Sequence, residues 1–400
     1  MKQLLYRYNP WWENVNFPMG EVFARDAVLI ELENNFLTKD IVFLSGLRRV
    51  GKTTIIKLFI KQLIEKKDIL PKFILYVSLD DYLLNNNSMF EIIDEFRKIN
   101  GLSFGEKIYL FFDEVTYFAD YQQQLKNLYD SHNVKIFAAS SSSSLLKAKK
   151  PYLTGRSRII EVLPLNFEEY LIFKNIHVKK SDTHLIDKYF EDFLQTGGIP
   201  EYVLRNDLQY LRDLVDDIII KDIAAPNAIK NINILKEYFL LLMERAGKSI
   251  SLNKTAKILG VSADTAKRYL SYFEESYLIS VIPRYGKTNE TILSPKKVYS
   301  SDLGIKNAFI AFRDKGSIFE NYIFQQIKTY DPCYFYQAPN ELDFVINKNI
   351  LIESKYFSTL TIKQKELFNS LQFEYKYLIT NYSQLEEALK QIKSIMADFN

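Results

Sequence analysis

Residues 46–54 read Gly46-Leu47-Arg48-Arg49-Val50-Gly51-Lys52-Thr53-Thr54. They fit the pattern G-x-x-x-x-G-K-[ST], and their flanks are the ones that pattern needs. Apolar Ile41-Val42-Phe43-Leu44 comes before, and Ile55-Ile56-Lys57-Leu58-Phe59-Ile60 follows with helical character. Strand, glycine loop and helix in that order turn successive backbone N–H groups and a helix N-terminus toward one point, where phosphate is held. Gly46, Arg48, Arg49, Val50, Gly51, Lys52, Thr53 and Thr54 are therefore expected around a bound nucleotide. Lys52 is expected to reach the β- and γ-phosphates, and the Thr53 hydroxyl to hold Mg²⁺. The competing explanation is a chance glycine turn before an amphipathic helix. Glycine is scarce, 13 residues in 400, so the few that remain point to backbone needs.

A phosphate loop calls for a second site of negative charge. Ile108-Tyr109-Leu110-Phe111-Phe112 reads as a strand buried on both faces, and Asp113-Glu114 closes it. Open α/β sheets place ligands at the carboxyl ends of such strands. Asp113 is expected to hold Mg²⁺ through water, and Glu114 to polarise an attacking water. Two acids opening a solvated helix would look the same in isolation. Further strands are expected at Phe73–Leu79, Lys135–Ala139 and Ile159–Leu163. Five strands with helices between them predict an α/β fold, a doubly wound parallel sheet. The extra strand between the loop and the acids, with a glutamate beside the aspartate, resembles the additional-strand ATPases, among them the AAA+ and RecA-like groups. The serine run Ser140–Ser144 is either a flexible linker or, after the fourth strand, a γ-phosphate sensor through Ser140 or Ser141. Arg156, after Gly155, is either a stabiliser of phosphate charge or a surface arginine after a helix cap.

Several segments together resemble the prokaryotic AAA+-like ATPases that carry a C-terminal DUF4143 domain. They are GLRRVGKTT, LFFDEV, ASSSSSLL, LTGR, LPLNFEEYL, TGGIPEYV and the opening NPWWE. The resemblance covers nearly the whole chain. The family pattern has Thr-Gly before the serines, where this chain has Ala139-Ser140. The resemblance implies ATP binding, a winged helix and a restriction-endonuclease-like C-terminal domain.

Residues 170–230 read as amphipathic helices around a hinge-like Gly197-Gly198-Ile199-Pro200, an expected helical lid. Beyond them Leu252–Leu259, a turn at Gly260-Val261-Ser262, and Ala263–Ser276 read as helix-turn-helix. Leu278–Pro283 and Thr291–Ser294 are expected to flank a wing at Arg284-Tyr285-Gly286-Lys287. Residues 221–300 hold 13 Lys and Arg against 7 Asp and Glu, a net +6, while the other 320 residues carry −3. Thr265, Lys267, Arg268, Arg284 and Lys287 are thus the expected DNA contacts. The alternative is a winged helix used only for packing.

Near the C-terminus, Glu341-Leu342-Asp343-Phe344-Val345-Ile346 and Ile350-Leu351-Ile352-Glu353-Ser354-Lys355 read as a hairpin. If it centres on Lys348, Asp343 faces Glu353, and alternation puts Lys355 on the same face. Two acids could hold Mg²⁺ and the lysine could orient a water. This resembles the PD-(D/E)xK nuclease core, with Leu342 where proline normally stands. A cross-strand salt bridge is the alternative. Glu320 matches the acidic position on the first helix of that fold, or is the end of a Ser317-x-x-Glu320 capping box.

Composition bounds the rest. With one cysteine, Cys333, and three histidines, neither a disulfide framework nor a cysteine or histidine metal site is expected. No apolar run approaches the ~20 residues needed to span a bilayer, and Arg7, Pro10 and Glu13 break any signal core. A cytoplasmic protein with no membrane partner is expected. The expected domains are 1–165 (ATPase core), 166–228 (lid), 229–300 (winged helix) and 301–400 (nuclease-like). The expected activity is Mg²⁺-dependent ATP hydrolysis by a DNA-associated switch with a possible nuclease domain and a possible homo-oligomer or protein partner. Two alternatives stand beside it: a non-nucleolytic adaptor whose C-terminal domain docks a partner, and an assembly switch that barely hydrolyses.

Overall fold

The computed structural model describes residues 1–20, 22–118, 120–142 and 153–398. Two compact units divide at Val162/Leu163. In the first, β1 (Ile41–Ser45), β2 (Ile74–Ser78), β3 (Ile108–Asp113), β4 (Val134–Ser140) and β5 (Ser157–Glu161) form one parallel sheet in the order β2-β3-β4-β1-β5. Alternation sorts their side chains. Phe43, Leu75, Val77, Leu110, Phe112, Ile136 and Ala138 enter one apolar layer. On the other face Phe59, from the helix Lys52–Lys66, packs edge-on to Phe111 and Phe137, which stack at 4.9 Å.

The five expected strands are all present, but their spatial order differs from their chain order. The strand lying between β1 and β3 is β4, the one that runs into the serines. The strand between them in sequence, β2, is at the edge. Its outer backbone groups do not go unpaired. Asn9 accepts from Tyr76 N–H at 2.6 Å and donates to Tyr76 C=O at 2.9 Å. The Trp12 and Trp11 indoles donate to Ile74 C=O at 2.9 and 3.4 Å. The Asn-Pro-Trp-Trp opening thus seals an edge that would otherwise template pairing.

In the second unit the helix Ile232–Glu244 precedes β6 (Lys248–Ile250), the helices Leu252–Leu259 and Ala263–Glu275, β7 (Ile279–Ile282) and β8 (Lys296–Ser300). The sheet order β6-β8-β7 makes β8 its central strand. Ser262 caps the second helix, its Oγ accepting from Thr265 N–H at 3.1 Å. Thr291–Leu293, in the segment expected to flank the wing, belong to a helix, Thr288–Leu293, because the Glu290 carboxylate accepts from Lys287 N–H at 3.0 Å and nucleates a turn. β8 begins only after Pro295.

β9 (Cys333–Gln337), β10 (Asn340–Ile346), β11 (Ile350–Ser354) and β12 (Tyr375–Ile379) complete the unit. β9, β10 and β11 are antiparallel neighbours and β12 joins β11 in parallel, after the helix Ile362–Ser370. Asn347 and Lys348 both have positive φ, 47° and 64°, as a tight hairpin requires. The segment after β7 adds to this sheet. Tyr285 N–H donates to Tyr334 C=O at 2.7 Å, and Tyr334 N–H to Pro283 C=O at 3.0 Å.

The expected Gly197-Gly198 hinge is a close crossing of three chain segments. A Cβ on Gly198 would lie 2.2 Å from Leu165 C=O, and one on Gly197 2.2 Å from Gly304 N. Gly198 N–H donates to Asp302 Oδ2 at 2.7 Å, and Leu165 N–H to Gly198 C=O at 2.8 Å. Burial pushes Asp302 up to about 6, against the pull of the Gly198, Ile305 and Gly304 N–H donors.

Candidate functional site

The phosphate loop sits at the carboxyl end of β1. Gly46 lies so close to Val162 C=O that a Cβ would stand 2.3 Å from it. Arg49 and Gly51 take positive φ, 66° and 96°, which turns the loop inward ahead of the helix at Lys52. Lys52 is buried, and its Nζ donates to Gly46 C=O at 2.8 Å and Leu47 C=O at 3.0 Å. Its charge is therefore held over the loop.

One helix residue later, Thr53 Oγ1 donates to Asp113 Oδ2 at 2.5 Å. The same oxygen accepts from Tyr76 O–H at 3.0 Å. Asp113 is 2% exposed. Glu114 takes a left-handed backbone, φ 47° and ψ 46°, uncommon outside glycine and asparagine. Its Oε2 accepts from Ser141 Oγ at 2.9 Å and Ser141 N–H at 3.3 Å. Burial raises the Glu114 pKa, the nearby Lys52 ammonium opposes that, and Asp113 adds to it. Hydroxyl and carboxylate of the expected metal pair thus meet, with the expected base one residue away and tied to the end of β4. This donor set suits Mg²⁺, a hard cation that takes few protein oxygens. Ser140 bonds Thr116 at 3.1 Å, hydroxyl to hydroxyl. Ser143 and Ser144 lie outside the described residues.

Arg156 does not join this site. It precedes β5, and its C=O accepts from Ile41 N–H at 2.8 Å, at the start of β1. In a parallel sheet that is the end opposite to Gly46–Thr53. Its guanidinium pairs with Asp130 at 3.2 Å and lies over Tyr129. This corrects the expected phosphate-stabilising role within the chain's own loop.

On the helix Ala263–Glu275, Lys267 and Arg268 are exposed and Thr265 is half-buried. Lys287 is exposed at the start of the helix Thr288–Leu293. Arg284 is engaged elsewhere, contrary to expectation. It donates to Tyr336 C=O at 2.8 Å, pairs with Glu290 at 3.5 Å and stacks over the Tyr336 ring.

The hairpin centres on Lys348 as expected, so the Phe344–Ile352 register carries Asp343 across from Glu353. Asp343 N–H donates to Glu353 Oε2 at 3.0 Å, and Lys355 Nζ donates to Glu353 Oε1 at 2.6 Å. The β9 pairing slips between Leu342 and Val345, a bulge that re-aims this stretch. Glu320 is not the end of a capping box. The helix runs Lys315–Ile327 with Asp314 as its cap, which leaves Glu320 mid-helix and 9% exposed.

A residue the sequence reading missed completes the group. Lys297, on β8 and 1% exposed, reaches Glu320 at 2.7 Å, Glu341 at 2.8 Å and Asp343 at 3.5 Å. Tyr299, two residues on and on the same face, donates to Glu320 at 2.7 Å. Burial works against the Lys297 charge but is outweighed by Glu320 and its other neighbours, so its pKa is raised. Burial, with Asp343, pushes Glu320 up to about 7 and Glu353 up to about 8. The signal was present in Lys296-Lys297-Val298-Tyr299: in a strand flanked on both sides, one of two adjacent lysines must point inward.

The residues do not fit the Mg²⁺ expected at Asp343 and Glu353. Ammonium groups already stand at these acids, where neutral donors stand at Asp113: Lys297 reaches Asp343 at 3.5 Å and Lys355 donates to Glu353 at 2.6 Å. Among the described residues, no group of three or more His, Cys, Asp or Glu side chains is disposed to hold a metal ion. No helix among them is long and apolar enough to cross a membrane.

Comparison with known proteins agrees with the loop and the sheet. A family model described as an AAA domain matches residues 38–171. Domains of unknown function DUF8612 and DUF4143 match 187–316 and 315–396. The uncharacterized protein MJ1544 of Methanocaldococcus jannaschii is 32% identical over 370 residues, covering 86% of this chain and 81% of that protein. An uncharacterized protein of Haemophilus influenzae is 25% identical, over 82% and 84%. Among solved structures, the Aeropyrum pernix ORC1 protein in complex with DNA aligns with 75% of this chain and 97% of its own, at 14% identity and a TM-score of 0.34. Such a score carries no argument about function.

Proposed function

This chain belongs to the AAA-like P-loop ATPase family with a C-terminal DUF4143 domain, and from that premise we propose that it is a Mg²⁺-dependent ATPase acting as a DNA-associated switch. The observation that carries the reading is the 2.5 Å bond from Thr53 to Asp113 beside Glu114. Phosphate loop and acidic strand thereby converge at one point.

The loop N–H groups and Lys52 hold the β- and γ-phosphates, while Arg48, Arg49, Val50 and Thr54 frame the nucleotide. Thr53 and Asp113 would hold Mg²⁺, which supplies positive charge to the phosphates when bound. Glu114, ionised, orients and polarises a water toward the γ-phosphate, and Ser141 fixes the Glu114 carboxylate. We assign 1–165 to the ATPase core, 166–228 to a helical lid, 229–300 to the winged helix and 301–400 to the C-terminal domain.

Lys267, Arg268 and Lys287, exposed in a segment of net +6, support DNA contact through phosphates. For the C-terminal domain the docking reading is favoured over cleavage, because the Lys297 ammonium already stands among three of its carboxylates. Replacing Lys52 with alanine is expected to lower ATP turnover at least ~100-fold, the scale of losing a charge that stabilises a transition state. Unchanged turnover overturns the proposal.

A further inference from the structure

The carboxylates of the C-terminal domain gather around an ammonium group. Lys297 has three N–H donors and three acceptors within reach: Glu320, Glu341 and Asp343 at 2.7, 2.8 and 3.5 Å. A lysine on a loop could swing away and yield to a metal ion. The Lys297 backbone is held in place, and its side chain is 1% exposed. β8 is paired on both sides, Lys297 opposite Ser249 of β6 and opposite Ile282 of β7. Tyr299 on the same face stacks against Phe324 at 4.3 Å and bonds Glu320. Moving the ammonium away would break three ion pairs of a buried side chain.

We propose that Lys297 is a built-in cation that permanently takes the place of a divalent metal among Glu320, Glu341 and Asp343. The site then binds no Mg²⁺ and cleaves no phosphodiester. It serves as an ionic joint between β8 and the sheet that carries Asp343 and Glu353. None of this depends on ATP hydrolysis, so its failure and that of the ATPase reading are separate.

The test is Mn²⁺ titration of the nucleotide-free full chain, followed by electron paramagnetic resonance of the free ion and by thermal unfolding. Wild type and Asp343→Asn are expected to bind the same amount of Mn²⁺, since the site contributes none. Lys297→Met removes the ammonium but keeps most of the unbranched side chain. It is expected to gain a site of at least about tenfold higher Mn²⁺ affinity, as hard oxygen donors are uncovered. That site should raise its unfolding temperature and disappear in the Lys297→Met/Asp343→Asn double variant. Wild-type Mn²⁺ binding that Asp343→Asn abolishes overturns the proposal, as does a folded Lys297→Met protein that binds no additional Mn²⁺. Should Lys297→Met not fold, the wild-type and Asp343→Asn comparison still decides.

Discussion

The phenol of Tyr76, on the edge strand, donates to Asp113 Oδ2 at 3.0 Å, the oxygen that also accepts from Thr53. Burial and the Asp113 charge raise the Tyr76 pKa far above its ordinary value, so it remains a donor at any working pH. Tyr76 is thus a positioning residue for the proposed metal pair. Tyr76→Phe should weaken the apparent Mg²⁺ affinity in ATP turnover by roughly 10–150-fold, the scale of a hydrogen bond to a charged group, with little change at saturating Mg²⁺. Thr53→Ala should cost more at every Mg²⁺ concentration. Equal Mg²⁺ dependence in wild type and Tyr76→Phe would remove the positioning role.

Glu114 must be ionised to polarise water, and burial holds its pKa above the ordinary 4.5. Turnover is therefore expected to fall with acidification at a higher pH than an unperturbed glutamate would give. The Ser141 hydroxyl, donating at 2.9 Å, pulls the other way and lowers that pKa. Ser141→Ala should shift the acid limb of the kcat–pH profile upward while leaving the plateau within about tenfold. A limb that stays in place or moves down contradicts the assignment of Glu114 as the base.

Much of the first unit was legible because its strands are short apolar runs closed by working residues: Leu44 leads to Gly46, and Phe112 to Asp113. Spatial order was not, since a parallel connection can skip a position and leave no local trace. β2 reads like a central strand because Trp11, Trp12 and Asn9 cover its edge. The hairpin register was fixed by alternation about Lys348. Lys297 escaped notice because a lysine is read as solvent-facing, and only the neighbours of β8 show that it is not. The wing was misjudged where Glu290 turns its expected flank into a helix.

The glycine crossing in the second unit yields a stability test. Gly198→Ala would force a methyl to 2.2 Å from Leu165 C=O and should destabilise by at least about 3 kcal/mol. Asp302→Asn should cost about 1–3 kcal/mol, because one oxygen accepts from Gly198 N–H and the other from Ile305 N–H, and an amide offers only one acceptor. Urea unfolding midpoints check both. A Gly198→Ala protein as stable as wild type would show that the crossing does not require glycine there.

The proposed DNA contacts separate by their surroundings. Lys267 and Arg268 are exposed, whereas Arg284 spends its guanidinium on Tyr336 C=O and Glu290. Each phosphate neutralised releases counterions, so log K falls with log salt by about 0.9 per contact on duplex DNA. Lys267→Ala/Arg268→Ala should therefore flatten that slope by nearly 2 and weaken binding alike on unrelated sequences. Arg284→Ala should leave the slope unchanged and instead lower stability, since it removes the side-chain bond that joins the segment after β7 to Tyr336 C=O of β9. Fluorescence anisotropy on two duplexes across a salt series measures all three proteins. A slope that Arg284→Ala flattens and the double variant does not would move the interface from the helix Ala263–Glu275 to the wing.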